Sequence, residues 1–66
     1  MYIILHTTDC PKCRVLASKL NLKNIAFEEN HDMSTVIEKG FLSAPVLQVG
    51  DEFMDFSKAN EWINKQ

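Results

Sequence analysis

Basic residues are few and scattered: seven Lys and Arg stand against nine Asp and Glu, for a formal net charge of −2. A chain without a basic patch lacks the electrostatic footprint that a phosphate backbone requires, so a nucleic-acid-binding role is excluded. Long apolar runs are missing too. Tyr2 to Leu5 falls far short of the roughly 20 residues that a membrane helix needs. It is also too short for the apolar part of a secretory leader and has no basic segment before it, so a leaderless, cytoplasmic chain is expected. Repeats, linkers and low-complexity tracts are absent, and 66 residues make one domain, 1–66. Cysteine is scarce, with two in the chain. In a reducing compartment a structural disulfide is rare. A bond closing a four-residue ring would restrain the unfolded chain little, so a staple is a poor explanation for this pair.

Those two cysteines stand together in Cys10-Pro11-Lys12-Cys13, after the apolar run Tyr2 to Leu5 and before the helical pattern Val15 to Leu20. A strand that hands over to a helix at Cys10 puts its sulfur at the helix N-terminus. There the unpaired N–H groups and the positive end of the helix dipole favour a thiolate, the reactive form of cysteine. Lys12 and Arg14 act in the same direction, and Asp9 acts against them. Dithiol–disulfide chemistry is the expected use of such a pair.

Local patterning places the remaining elements. Tyr2 to His6 reads as a central strand covered on both faces. Cys10 is the expected N-cap of a helix with Pro11 at its first position, where a missing N–H costs nothing. Cys13, Leu16, Ala17 and Leu20 form its buried stripe, and Asn21 to Asn24 a short connection. Ile25 to Glu29 reads as the second strand. A short helix follows, capped by Asp32 or Ser34 and stopped at Gly40, with Met33, Val36 and Ile37 as its apolar face. Ala44 to Val49 is the third strand, Gly50-Asp51 a hairpin turn, and Glu52 to Met54 the fourth strand. Ser57 caps a last helix that packs through Ala59, Trp62 and Ile63. The order is β-α-β-α-β-β-α, an α/β domain whose first crossover is parallel and whose last strand pair is antiparallel.

This order, together with Thr7-Thr8-Asp9-Cys10-Pro11-Lys12-Cys13 and Ser43-Ala44-Pro45-Val46, resembles the thioredoxin fold in its short glutaredoxin form, over nearly the whole chain. NrdH-type redoxins, glutaredoxin-like electron donors to ribonucleotide reductase, are similar in length and layout. The resemblance implies a four-stranded mixed sheet and a cis peptide at Ala44-Pro45 facing the cysteines. It also implies a substrate groove formed by Thr7, Lys12, Ala44, Pro45 and Phe56. Glutaredoxins usually carry a basic residue where this chain has Thr7, a tyrosine where it has Lys12, and a Gly-Gly pair where it has Asp55-Phe56. Asp51, Glu52 and Asp55 would repel the carboxylates of glutathione. The reductant implied is therefore a thioredoxin-reductase-like flavoenzyme in preference to glutathione.

The expected activity is a monomeric thiol–disulfide oxidoreductase that reduces protein disulfides, needs no cofactor of its own, and serves electron transport and cell redox homeostasis. Cys10 attacks the substrate disulfide and Cys13 resolves the mixed disulfide. Two other uses of the same residues compete with it. One is a metal-binding or metal-delivery module, with His6 and His31 completing a set begun by Cys10 and Cys13. The other is a non-enzymatic adaptor that binds an extended peptide along the Pro45 groove. From sequence alone, His6 reads as a satisfied strand-end residue, His31 as a solvated loop residue, and Trp62, Met33 and Met54 as packing groups.

Overall fold

The computed structural model describes residues 2–66. Its first element, β1 (Ile3–His6), is short, apolar and central. The chain then turns into α1 (Pro11–Leu22), with Cys10 at the N-cap in extended conformation and Pro11 at the first position, as expected. Cys13, Leu16 and Leu20 are the buried stripe of this helix, and Val15 on its other side is exposed.

Helix α1 runs two residues into the expected connection, and its ending explains a misplaced strand. Asn24 takes a left-handed backbone, with φ of +57°. Its N–H bonds to the Asn21 carbonyl at 3.0 Å, and Ile25 N–H bonds to the Leu20 carbonyl at 2.9 Å. These are the two bonds of a Schellman closure, in which the residue after the left-handed one tucks back onto the helix. Ile25 is therefore committed to finishing the helix. The second strand is not Ile25 to Glu29 but β2 (Glu28–Asn30), and Ile25 and Phe27 pack on the core from the connection before it.

The next helix, α2 (Ser34–Glu38), closes the same way: Gly40 has φ of +93°, its N–H bonds to Ile37, and Phe41 N–H bonds to Val36. Two expectations about α2 are corrected. Its N-cap residue is Met33, which makes no side-chain cap. The Asp32 carboxylate does accept from Ser34 N–H at 3.0 Å, an Asx turn leading into the helix. Ile37 lies outside the buried face at 61% exposure, because five residues bury a single position, Val36.

Strand β3 (Val46–Val49) begins after Ala44 and Pro45, not at Ala44, and is buried throughout. Gly50, with φ of +59°, supplies the turn into β4 (Glu52–Met54). Helix α3 (Phe56–Asn64) starts earlier than expected: Asp55, not Ser57, is its N-cap, accepting from Lys58 N–H at 2.9 Å. Both residue types cap well, and the residue nearer the strand captured the helix start.

The sheet is mixed and four-stranded, in the order β2-β1-β3-β4. β1 pairs with β2 in parallel and with β3 antiparallel, and β3 pairs antiparallel with β4. Alternation along the strands separates two faces. Leu5, Leu47, Val49 and Met54 meet Leu16 and Leu20 of α1 and Ala59 and Ile63 of α3 in the main core, with Phe56 and Trp62 at its margin. The opposite face carries Ile4, His6, Val46, Gln48 and Phe53, and Lys39 and Phe41, just after α2, lie against Phe53.

One polar line runs through this second face, and its proton positions follow from its ends. Asp32 N–H donates to Asn30 Oδ1, so Asn30 Nδ2 is the donor to His6 Nδ1. His6 Nε2–H then donates to Gln48 Oε1 at 2.9 Å, and Gln48 Nε2 to the Gly50 carbonyl at 2.9 Å. Each link dictates the next, which makes His6 the neutral Nε2–H tautomer with both ring nitrogens engaged. His6 is 1% exposed and stacks on Phe53. No helix among the described residues is long and apolar enough to cross a membrane.

Candidate active site

The cysteines sit where β1, β3 and α1 converge. Past the end of β1, Thr7 N–H bonds to the Asn30 carbonyl at 3.0 Å, carrying the pairing with β2 one residue further. Thr7 Oγ1 accepts from Asp9 N–H at 2.9 Å, a local turn that aims the chain into α1. His6 faces Val46 across the β1–β3 ladder. Ala44 and Pro45 directly precede Val46, so they enter the sheet at the end where β1 leaves it for α1. The Ala44-Pro45 peptide is cis.

The two sulfurs differ in access. Cys13 is 1% exposed, and Cys10 is half-buried at the mouth of the helix. Cys10 Sγ accepts the Cys13 N–H at 3.2 Å, so the sulfur itself caps α1 in place of the usual oxygen. An N–H of the first turn aimed at a sulfur stabilises negative charge there.

From sequence, charge stabilisation is expected at Cys10 alone; the structure spreads it over both sulfurs. Burial pushes the Cys13 thiol up. Hydrogen bonds from the Cys10 and Thr7 side chains and from the backbone of Thr8 and Cys10 together outweigh burial, and bring it down from an ordinary 9.0 to about 7. The Cys13 thiol therefore gives up its proton near neutrality. Access then decides which sulfur meets an outside disulfide, and that sulfur is Cys10.

Thr7 therefore has a different role from the expected one. It is 1% exposed, so its side chain does not rim a groove; its hydroxyl faces the Cys13 sulfur from below. A Ser/Thr turn spacing between Thr7 and Asp9 is the one local sign of this, and it does not point to Cys13. Lys12 and Phe56 do come together: the Lys12 ammonium stands 5.4 Å from the centroid of the Phe56 ring, linking the starts of α1 and α3 beside Cys10. Lys12 is exposed, Phe56 and Ala44 are half-buried, and Pro45 is buried and so does not rim a groove.

The histidines are not drawn to the thiols. His6 spends both ring nitrogens on Asn30 and Gln48. His31 is an exposed loop residue, as expected, and its Nε2 bonds Asp9 Oδ2 at 3.1 Å. No group of three or more His, Cys, Asp or Glu side chains is arranged to hold a metal ion among the described residues. The donor set that the metal alternative requires is therefore not assembled. Comparison with protein-family models, curated proteins and solved structures returned no match.

Proposed function

We propose that this protein is a thiol–disulfide oxidoreductase of thioredoxin fold, similar to glutaredoxins, that reduces disulfides in other proteins. The observation that carries this reading is the pairing of an accessible sulfur at a helix N-terminus with a buried sulfur whose thiol is lowered to about 7.

Each sulfur suits one step. The Cys10 thiolate attacks one sulfur of the substrate disulfide; that S–S bond breaks, and the other substrate sulfur leaves as a thiolate. Cys10 is then bonded to the substrate. Cys13 must attack next, and only its thiolate can do so. The lowering contributed by the Cys10 side chain ends once Cys10 is bonded to substrate, and the Thr7 hydroxyl and the backbone of Thr8 and Cys10 are the groups that continue to favour the Cys13 thiolate. Attack of Cys13 on Cys10 Sγ releases the second substrate thiolate and leaves a Cys10–Cys13 disulfide. Two electrons have passed to the substrate, whose thiolates take up protons from water.

In this reading the substrate lies beside Cys10, with Lys12 and Phe56, which meet at 5.4 Å, and Ala44 as the expected sides of its groove. Ala44, two residues before β3, would pair with an extended substrate segment. Asp55, exposed at the N-cap of α3 next to Phe56, disfavours a dianionic tripeptide and favours a flavoenzyme of thioredoxin-reductase type as electron source; Asp51 and Glu52, expected to act with it, lie instead at the hairpin end of β3 and β4, level with Ile3 and away from Cys10. The protein would act as a cytoplasmic monomer, and ribonucleotide reductase is one substrate of the expected kind. The test is reduction of insulin disulfides by catalytic amounts of the protein with excess dithiothreitol. The expected result is a rate well above that of dithiothreitol alone and proportional to protein concentration. A rate equal to the dithiothreitol background overturns the reading.

A further inference from the structure

Asp9, between β1 and α1, has a left-handed backbone with φ of +60°. Few residues other than glycine adopt that conformation, Asp and Asn being the better tolerated. Asp9 directly precedes Cys10, so its carboxylate is the anion closest in sequence to the accessible sulfur, opposing Lys12 and Arg14. Its N–H is tied to Thr7 Oγ1 and its Oδ2 to His31 Nε2 at 3.1 Å. His31 comes from a distant part of the chain, just after β2, and both side chains of the pair are more than half exposed, at 55% and 62%. Nothing in the packing of the core calls for this contact. The neighbouring Asp32 does not compete for His31 through its Oδ1, which Ser34 N–H occupies.

We propose that His31 is a positioning residue for the dithiol: by donating to Asp9 it holds and offsets the carboxylate that otherwise opposes negative charge on Cys10. The proposal rests on the thiol chemistry assigned above, though not on turnover. One carboxylate within several ångströms of a surface sulfur changes the balance between thiol and thiolate by about three- to tenfold. Stabilising the reduced thiolate makes a dithiol more oxidising, and destabilising it makes the couple more reducing.

The test uses the full chain and two readouts. One is the equilibrium of the Cys10–Cys13 couple against dithiothreitol redox buffers; the other is the pH profile of iodoacetamide alkylation at Cys10, resolved by mass. His31→Ala is expected to make the couple more reducing by about threefold or more, roughly 15 mV at about 30 mV per tenfold, and to move the alkylation midpoint up. Asp9→Asn, which keeps a residue tolerant of the left-handed backbone, is expected to move both readouts the opposite way. In the Asp9→Asn background, His31→Ala should change neither. The proposal is overturned if His31→Ala leaves both readouts unmoved in the parent chain, or moves them equally with and without Asp9. Should the parent chain fail to reduce insulin, the alkylation midpoints still decide this proposal on their own.

Discussion

Cys10→Ser is expected to lower insulin reduction to the rate of dithiothreitol alone, whereas Cys13→Ser should stop the reaction after one step. The asymmetry follows from access and bonding. Cys10 is the half-buried sulfur at the mouth of α1, and Cys13, 1% exposed, does not reach an outside disulfide. In Cys13→Ser the backbone N–H at position 13 still points at Cys10 Sγ, so the attacking sulfur keeps its cap. The first attack proceeds, no second thiolate follows, and the protein accumulates as a mixed disulfide with one substrate chain. Intact mass after mixing with oxidised insulin reads this directly: one adduct for Cys13→Ser and none for Cys10→Ser. Equal adducts from both variants would show that the two sulfurs are equally accessible, and the division of labour would fail.

Leu16→Ala is expected to cost about 2–5 kcal/mol of folding stability, through lost apolar transfer and the cavity left behind. Leu16 is 0% exposed and sits in α1 between Cys13 and Leu20, against the main face of the sheet. Domains hold roughly 0.05–0.15 kcal/mol per residue, so a chain of 66 residues has only about 3–10 kcal/mol in all. The substitution should remove much of that margin and can leave the domain largely unfolded. Leu22→Ala, in the same helix at 83% exposure, should stay within about 0.5 kcal/mol. Urea unfolding of the reduced proteins separates the two. Similar midpoints for both variants would mean that the α1–sheet interface does not hold the fold together.

Much of the architecture is legible in the order of residues alone, because its signals are local. Cys10-Pro11 marks a helix start through the cap position and the fixed φ of proline. Gly50 marks a hairpin, and the spacing of Cys13, Leu16 and Leu20 marks the buried stripe. The failures share a cause, competition between local motifs that one-dimensional patterning cannot rank. Ile25 looks like the first residue of a strand, yet Asn24 can turn left-handed and draw it back onto Leu20. Asp55 and Ser57 are both good caps, and only the end of β4 decides between them. Ile37 has helical spacing with Met33, four residues before it, but a five-residue helix has one buried position to offer, Val36.

At the site, the cysteines can be assigned from sequence because their chemistry and spacing are contiguous. The groups that tune them are less accessible to such reading. Thr7 donates to a sulfur six residues ahead, and His31 reaches Asp9 across 22 positions, through contacts that exist only once β1 and β2 pair. The line from Asn30 through His6 to Gln48 is hidden for the same reason: its members come from three strands.

The central claim is that this dithiol carries negative charge at neutral pH because backbone and Thr7 donors converge on it. Its most direct measurement is the rate of iodoacetamide alkylation of the reduced protein from pH 5 to pH 10. Deprotonation speeds alkylation, so lowering the ionisation from 9.0 to about 7 moves the rise in rate to lower pH. The expected profile climbs through about pH 7 and has levelled off before the ordinary thiol range is reached. A single rise centred near 9.0, with both sulfurs reacting as ordinary thiols, would contradict it.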